Sequence, residues 1–524
     1  MKPIGIFISI AILFFACQKQ KKMPSNQESH YAEAHRPQFH FSPPAKWMND
    51  PNGLVYYDGE YHLFYQHYPD STIWGPMHWG HAVSKDLVHW EHLPIALYPD
   101  SQGFIFSGSA VIDWNNSSGL GKDNAPPMIA IFTYHNMESE KAGNIDYQTQ
   151  ALAYSYDKGR SWTKYESNPI IPNLGLRDFR DPKVTWYGDT PYERWIMSLA
   201  VGDHISFYSS PNLRDWNFRS DFGKTEGAHG GVWECPDLFQ LPVEGGDQSK
   251  WVLLVSINPG GPNGGSATQY FIGDFEAGRF KSDYQDTLWI DYGRDNYAGV
   301  TWSDIPATNG RRIFIGWMSN WQYAQEVPTD AWRSAMTLPR TLSLRQTPSG
   351  LRLCSNPVQE LEMLRNKNAA LPQQAVEGVL DLTAKTAIAP QQMEAILEVE
   401  LPEGSAADFG LELSNVKGES YRIGYNATQK QYYSDRTKAG NAAFSTLFAD
   451  KVTLAPRWAA GDTLKLHLFF DGASAELFAD DGVTALTDIF FPSVPFSQIK
   501  FYSEAGKVAL KKAVFYEIDT IWKK

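Results

Sequence analysis

Four stretches of this chain share one plan: "AVSKDLVHWEHL", "AYSYDKGRSWTKY", "FYSSPNLRDWNFR" and "FIGDFEAGRFKS". In each, a short strand-like run ends near Ser or Gly, a polar turn follows, and an aromatic residue opens another strand-like run. The anchoring aromatics are Trp90, Trp162, Trp216 and Phe280, at spacings of 72, 54 and 64 residues. Such an interval suits one four-stranded antiparallel sheet with generous loops, the blade of a β-propeller. "GVTWSDIP" and "RRIFIGWMSNW" could supply a fifth blade. A series of β-sandwiches would also give strands at this spacing, so repetition alone leaves that alternative open. Either way the expected class is all-β, in keeping with a chain rich in Trp, Tyr and Phe, residues that favour strands.

At 524 residues the chain is long for one domain, and two are expected. The repeats end near 355. Residues 356–375 ("NPVQELEMLRNKNAALPQQA") read as a linker with a helical turn or two. Beyond it, segments such as "EAILEVELPEG" and "DTLKLHLFFDGASAELFADDG" alternate apolar and polar residues between Gly, Asp and Asn turns. This is the pattern of a half-buried antiparallel sheet, expected as a β-sandwich over 376–524. The chain begins with Lys2, an apolar run too short to span a bilayer, and then Ala16 and Cys17. That arrangement resembles a bacterial lipoprotein signal over 1–17, with lipid carried on Cys17; simple secretion is the alternative. The polar stretch 18–37 reads as a flexible tether. The expected location is therefore outside the cytoplasm, anchored in a bacterial envelope, periplasmic or at the cell surface. Three cysteines do not make a disulfide framework. A net charge of −13 disfavours nucleic acid as a partner.

In a propeller the first strand of every blade lines one axis, so acids placed in phase with the repeat can meet. Asp50 precedes Trp90 by 40 residues, Asp181 precedes Trp216 by 35, and Glu234 precedes Phe280 by 46. Pro51 and Pro182 directly follow the two aspartates, and a following proline holds the residue before it away from helix. Fixed direction is what a positioned nucleophile needs. Arg180 adds a permanent cation beside Asp181. Glu234 sits between Trp233 and Cys235, apolar company that favours a neutral carboxyl able to give a proton. Cys235 has no evident His partner and reads as a packed thiol. The His78-x-x-His81 and His89-x-x-His92 pairs read as strand packing, not as metal ligands.

The motifs "WMNDPNG", "FRDP" and "WECPD", in that order, together with "FYQHYP", "FSGSA" and "GWMSNW", resemble glycoside hydrolase family 32, the β-fructofuranosidases: invertases, inulinases and levanases. The resemblance runs from about residue 38 to the C-terminus and weakens after 370. It implies a five-bladed propeller over 38–355 followed by a β-sandwich, and a retaining hydrolase of fructans or sucrose. It also implies Asp50 as nucleophile, Glu234 as acid/base and Asp181 as transition-state stabiliser. Trp47, Asn49, Gln66, Trp74, Ser107 and Arg180 match fructose-binding positions, with Phe106 and Trp317 as pocket walls. No metal or cofactor is implied. Exo-release of fructose is the expected mode and endo-cleavage the runner-up. A surface lipoprotein that binds glycan without cutting it, and an inverting arabinan or xylan hydrolase, are the readings set against it.

Overall fold

The computed structural model describes residues 31–188 and 194–522. The expected signal segment 1–17, with Cys17, lies outside the described residues. Five antiparallel sheets stand around one axis. Their innermost strands are Lys46–Tyr57, Phe104–Ile112, Phe179–Tyr187, Val232–Pro242 and Tyr297–Thr301. Each inner strand neighbours the next, and the fifth neighbours the first, so the ring is closed. The two-residue strand Trp332–Arg333 of the last blade adds to the first blade, pairing in parallel with Lys46–Trp47.

The repeated aromatics mark the outermost strand of blades I to IV. Trp90 opens Trp90–Leu97, Trp162 and Trp216 stand one residue before Thr163–Lys164 and Asn217–Phe222, and Phe280 lies within Arg279–Ser282. The turn before each tryptophan has one construction. The indole N–H of Trp90, Trp162 and Trp216 donates to the carbonyl three residues earlier, on Leu87, Gly159 and Leu213, at 3.0–3.1 Å. Ser84, Ser155 and Ser210 each bond a polar side chain two residues on, Asp86, Asp157 and Asn212. The repeat visible in the sequence is thus, in blades I to III, a repeated turn that delivers the blade's last strand.

Apolar residues fill the wedges between blades. Phe64, Trp79, Ala110 and Phe132 pack between blades I and II, and Ile131, Leu152, Met197 and Leu199 between II and III. Phe207, Trp233 and Leu253 fill the next wedge, followed by Leu254, Phe314 and Leu344. Fully burying side chains of this kind contributes about 1.5–3 kcal/mol each. Among the described residues, helix is confined to short turns.

The C-terminal part is a sandwich-like sheet of eleven strands. Its long strand Gln498–Ile518 joins two halves. Residues 498–504 pair with Asp408–Ser414, and residues 509–517 pair with Gln392–Glu400. Leu397, Leu411, Leu466, Phe501 and Phe515 meet in its core. Two sequence expectations need correcting. The segment 356–375 is not a free linker: it holds the turn Gln359–Leu364, and Arg365–Ala370 and Gln374–Asp381 pair with the long strand. Alternating strands with exposed outer faces look like linker in sequence because few of their residues are apolar. Likewise residues 31–37, the end of the expected tether, are docked: Tyr31 stacks on Trp522 at 3.8 Å, and Arg36 is buried, bonding Glu33 and Ser42.

Candidate active site

A β-bulge interrupts the inner strand of every blade at the same level. Two consecutive residues face one residue of the second strand: Asn49 and Asp50 opposite Gln66, Phe106 and Ser107 opposite Thr133, Asp181 and Pro182 opposite Leu199. In blades IV and V the pairs are Cys235 with Pro236 opposite Val255, and Ala298 with Gly299 opposite Gly316. Bulges turn side chains out of the regular alternation and release N–H groups from the ladder. Asp181, Cys235 and Ala298, the first residues of three bulges, have φ of +62°, +47° and +53°, a left-handed backbone that non-glycine residues adopt at a cost. Pro182 and Pro236 occupy positions where the strand has no ladder N–H to lose.

These bulges assemble one polar cluster. Asp50 Oδ2 accepts a bond from Ser107 Oγ at 2.8 Å, and Oδ1 accepts from Asn49 Nδ2 at 3.0 Å. The Cys235 backbone N–H, freed by its bulge, donates to Asp181 Oδ2 at 3.0 Å. Asp181's own N–H donates to Thr133 Oγ1 at 3.1 Å. The Cys235 thiol lies 3.6 Å from both Asp50 Oδ2 and Asp181 Oδ2, so those two carboxylates are no farther apart than its two legs together. Arg180 grips Glu234 Oε1 through Nη2 (2.8 Å) and Nε (3.2 Å), and its Nη1 donates to Asp178 Oδ1 at 2.7 Å. The Tyr297 hydroxyl donates to Glu234 Oε2.

Electrostatics follow from crowding three acids in a buried place. Burial, and then the Glu234 charge, push the Asp50 carboxyl above the usual carboxylate range, while the Ser107 and Asn49 bonds pull it back. Burial raises Asp181 to about 7, opposed by Arg180 and helped by Glu234 and Asp50. Burial works against the Arg180 charge, but Glu234, Asp181 and Asp178 hold the guanidinium protonated. Burial and the neighbouring carboxylates push the Cys235 thiol well up, so it is a packed neutral group.

A pocket of about 290 Å³ opens over the cluster. Asn49, Asp50, Gln66, Trp74, Phe106, Ser107, Arg180, Asp181 and Glu234 line it, as do Trp321 and Gln325. Two of the expected binding residues do not. Trp47 and Trp317 are fully buried behind the wall. Trp47 holds Asn49 through Nε1–H to Oδ1 at 2.7 Å, and Trp317 packs on Trp321 with ring centres 4.9 Å apart. Their large rings serve packing, and Trp321 presents the exposed face instead. Glu234 also differs from expectation: its carboxylate faces Arg180 and Tyr297, while Trp233 turns into the interblade core and bonds Ala228 O. Sequence reading missed Tyr297, Asp178, His135, Tyr147 and Gln148. Tyr297 stands one residue before the blade V bulge, as Glu234 does in blade IV, an equivalence that only the structure reveals. Among the described residues no group of His, Cys, Asp or Glu could hold a metal ion.

Comparison with known proteins accords with this geometry. Residues 40–357 match the glycosyl hydrolases family 32 N-terminal domain, and residues 360–517 match the family 32 C-terminal domain. A levanase of Bacillus subtilis is 47% identical over 500 residues, covering 94% of this chain and 72% of the relative. An extracellular exo-inulinase of Aspergillus awamori is 36% identical, covering 94% of this chain and 96% of that one. The crystal structure of exo-inulinase from Aspergillus awamori superposes with a TM-score of 0.85 at 35% identity, over 94% of this chain and all of that one. A fructofuranosidase from Schwanniomyces occidentalis, in complex with fructosylnystose, gives 0.83 at 33% identity over 94% and 99% of the two chains.

Proposed function

The chain belongs to glycoside hydrolase family 32, and from that premise we propose that it hydrolyses fructans, and sucrose as a short substrate, by releasing terminal β-D-fructofuranosyl units with retention. One observation carries the reading: carboxylates from three different blades, Asp50 and Asp181 within the bulge of their inner strand and Glu234 directly before its own, line a single pocket. In the proposed reaction Asp50 attacks the anomeric carbon while Glu234 gives its proton to the departing oxygen. The resulting fructosyl-enzyme is then opened by water, which Glu234 deprotonates. Arg180 and Tyr297 fix where the Glu234 carboxyl points. Asp181 bonds sugar hydroxyls as positive charge develops at the anomeric centre. Among the described residues, Gln66 Nε2 and Gln148 Oε1 are buried at the pocket without partners, a donor and an acceptor that sugar hydroxyls would satisfy. Leaving such groups unpaired costs about 1–3 kcal/mol each, which binding relieves.

The pocket volume, at the small end for ligand sites, supports exo action on a chain end. Early products of levan and inulin digestion, separated by chromatography, are expected to be fructose alone. A ladder of mixed oligosaccharides would instead establish endo-cleavage.

Asp50 must be ionised to attack, so activity is present above its raised pKa and lost as pH falls through it. Ser107→Ala removes a bond that favours the ionised form. We expect the acid limb of the kcat/KM profile to move to higher pH, with kcat/KM at the optimum down about tenfold. An unmoved limb would show that Ser107 does not act through Asp50.

Names of relatives such as the extracellular exo-inulinase support export of this chain. We further propose that it is anchored through lipid on Cys17. Cys17→Ala should move the protein from the membrane fraction to the soluble one; unchanged fractionation refutes the anchor.

A further inference from the structure

The propeller axis has a second end, and it too carries a pocket. On the strand Phe104–Ile112, Phe106 and Ser107 line the catalytic pocket, whereas Val111 and Ile112 line the other. On Phe179–Tyr187, Arg180 and Asp181 face the first pocket, and Val184, Thr185 and Trp186 the second. Five steps of extended strand lead from Ser107 to Ile112, roughly 16 Å, so the second pocket is not a subsite of the first.

This pocket, of about 260 Å³, is built around tryptophan and a half-buried floor that carries Asp304 and Arg312. Trp114 is 59% exposed and Trp186 36%. Neither ring is loose. Trp114 Nε1–H donates to Asp304 Oδ1 at 2.8 Å, and Asp304 Oδ2 in turn accepts the Ile112 N–H at 3.1 Å. Tyr57 packs on the Trp114 ring at 5.7 Å. Trp186 meets Trp195 edge-on at 4.9 Å, and Trp195 is itself held by Nε1–H to Ser117 Oγ at 2.9 Å. Arg312 completes the floor; among the described residues its guanidinium has one hydrogen bond, from Nη1 to Trp302 O at 3.3 Å.

Single exposed apolar residues on a protein surface need no explanation. Two tryptophans on one concavity, each fixed by its own supports, do. Their exposed faces gain nothing from the fold, yet they are held ready, which lowers the ordering cost of binding. Aromatic faces beside a carboxylate, a guanidinium with spare donors and the Asn115 amide match the alternating C–H faces and hydroxyls of a sugar. The protein's net charge of −13 argues against a polyanion. We infer that this far-end pocket is a second, non-catalytic carbohydrate site that holds a neutral polymer chain while its end is cut elsewhere. That the polymer is a fructan rests on the function proposed above.

The test uses the full chain with Asp50→Asn, with and without Trp114→Ala and Trp186→Ala together, run in native gels containing levan, inulin or dextran. Any grip of the catalytic pocket is common to both proteins, so their difference reports the second pocket. We expect the tryptophan variant to bind fructan about tenfold more weakly, the loss of two stacking faces. In the active enzyme, which keeps Asp50, Trp114→Ala with Trp186→Ala should leave sucrose hydrolysis unchanged and slow polymer hydrolysis several-fold. Equal retardation of the two proteins in fructan gels overturns the site, as does an equal fall on sucrose and polymer. Retardation by dextran as strong as by fructan overturns its assignment to fructan. If the unsubstituted enzyme releases no fructose from any substrate, the functional reading falls first and the fructan site with it. Fructan cleavage without a tryptophan effect leaves that reading standing and removes only the second pocket.

Discussion

Asp50→Ala is expected to lower fructose release on the order of 10⁴-fold or more, with the melting curve close to that of the unsubstituted protein. The side chain lost is small, and its partners, Ser107 and Asn49, face a pocket where water can replace the carboxylate. Azide gives the experiment its power to assign roles. In Asp50→Ala, azide fills the vacated space and attacks the sugar once, from the side opposite the leaving group, so the fructosyl azide has inverted configuration. In Glu234→Ala, tested with a good leaving group, Asp50 still forms the covalent intermediate. Azide then displaces Asp50, and the second inversion restores the original configuration. Product stereochemistry by NMR therefore separates nucleophile from acid/base. Inverted azide from Glu234→Ala, or full activity in Asp50→Ala, would refute the assignment. Loss of the Asp50 charge should also lower the Asp181 pKa, because that charge is one of the groups raising it.

Much of this architecture could be read in the chain before any coordinates. Three blades were legible because their outer strands are introduced by the same chemistry, a Ser, a short polar side chain two residues on, and a Trp whose indole closes the turn; the count of five came from the resemblance. Such local devices leave residues at fixed offsets. The sandwich was legible from its alternation. What could not be read was anything set by distant neighbours. Trp47 and Trp317 carry the same side chain as Trp74 and Trp321, and only the packing of blade V against blade I decides which pair reaches the pocket. Glu234 has apolar neighbours in sequence and polar ones in space, because alternate strand residues face opposite ways and the bulge re-aims its successor. The five bulges themselves were half visible. An acid followed by proline was recognised as rigid, but a residue with positive φ leaves no mark unless it is glycine. The docked segment 31–37 looked like tether because its partners, Trp522 and His92, lie hundreds and tens of residues away.

Arg340→Met should have the largest effect on stability, about 3–5 kcal/mol, because it takes the guanidinium from two buried carboxylates, of which Glu476 alone keeps a cation, His40. The Arg340 guanidinium is fully buried where the propeller meets the sandwich. It bonds Asp291 Oδ2 at 2.8 Å, Thr487 Oγ1 at 2.7 Å, and Glu476. Glu476 is shared: its Oε1 also accepts from Leu338 N at 2.7 Å and bonds His40 Nε2 at 2.8 Å. Asp471 takes the other ring nitrogen of His40 and the N–H groups of Gln38, Phe39 and His40. One network therefore ties the first described segment, the last blade and the sandwich together. Burial alone would lower the His40 pKa, but its bonds to Asp471 and Glu476 hold it at about 9. That is above the value of about 6.5 for an unfolded chain. Its contribution is fully present below pH 6.5 and disappears as pH rises through about 9, a change of about 3 kcal/mol. Denaturant unfolding followed at several pH values checks both statements. The unsubstituted protein should lose stability between these limits, and His40→Gln should show a flatter slope there. Arg340→Met combined with Glu476→Gln should recover part of the single-variant loss, since one stranded charge is removed. A double variant no better than Arg340→Met would mean that lost packing against Phe478, 4.8 Å from the guanidinium, outweighs the uncompensated charge.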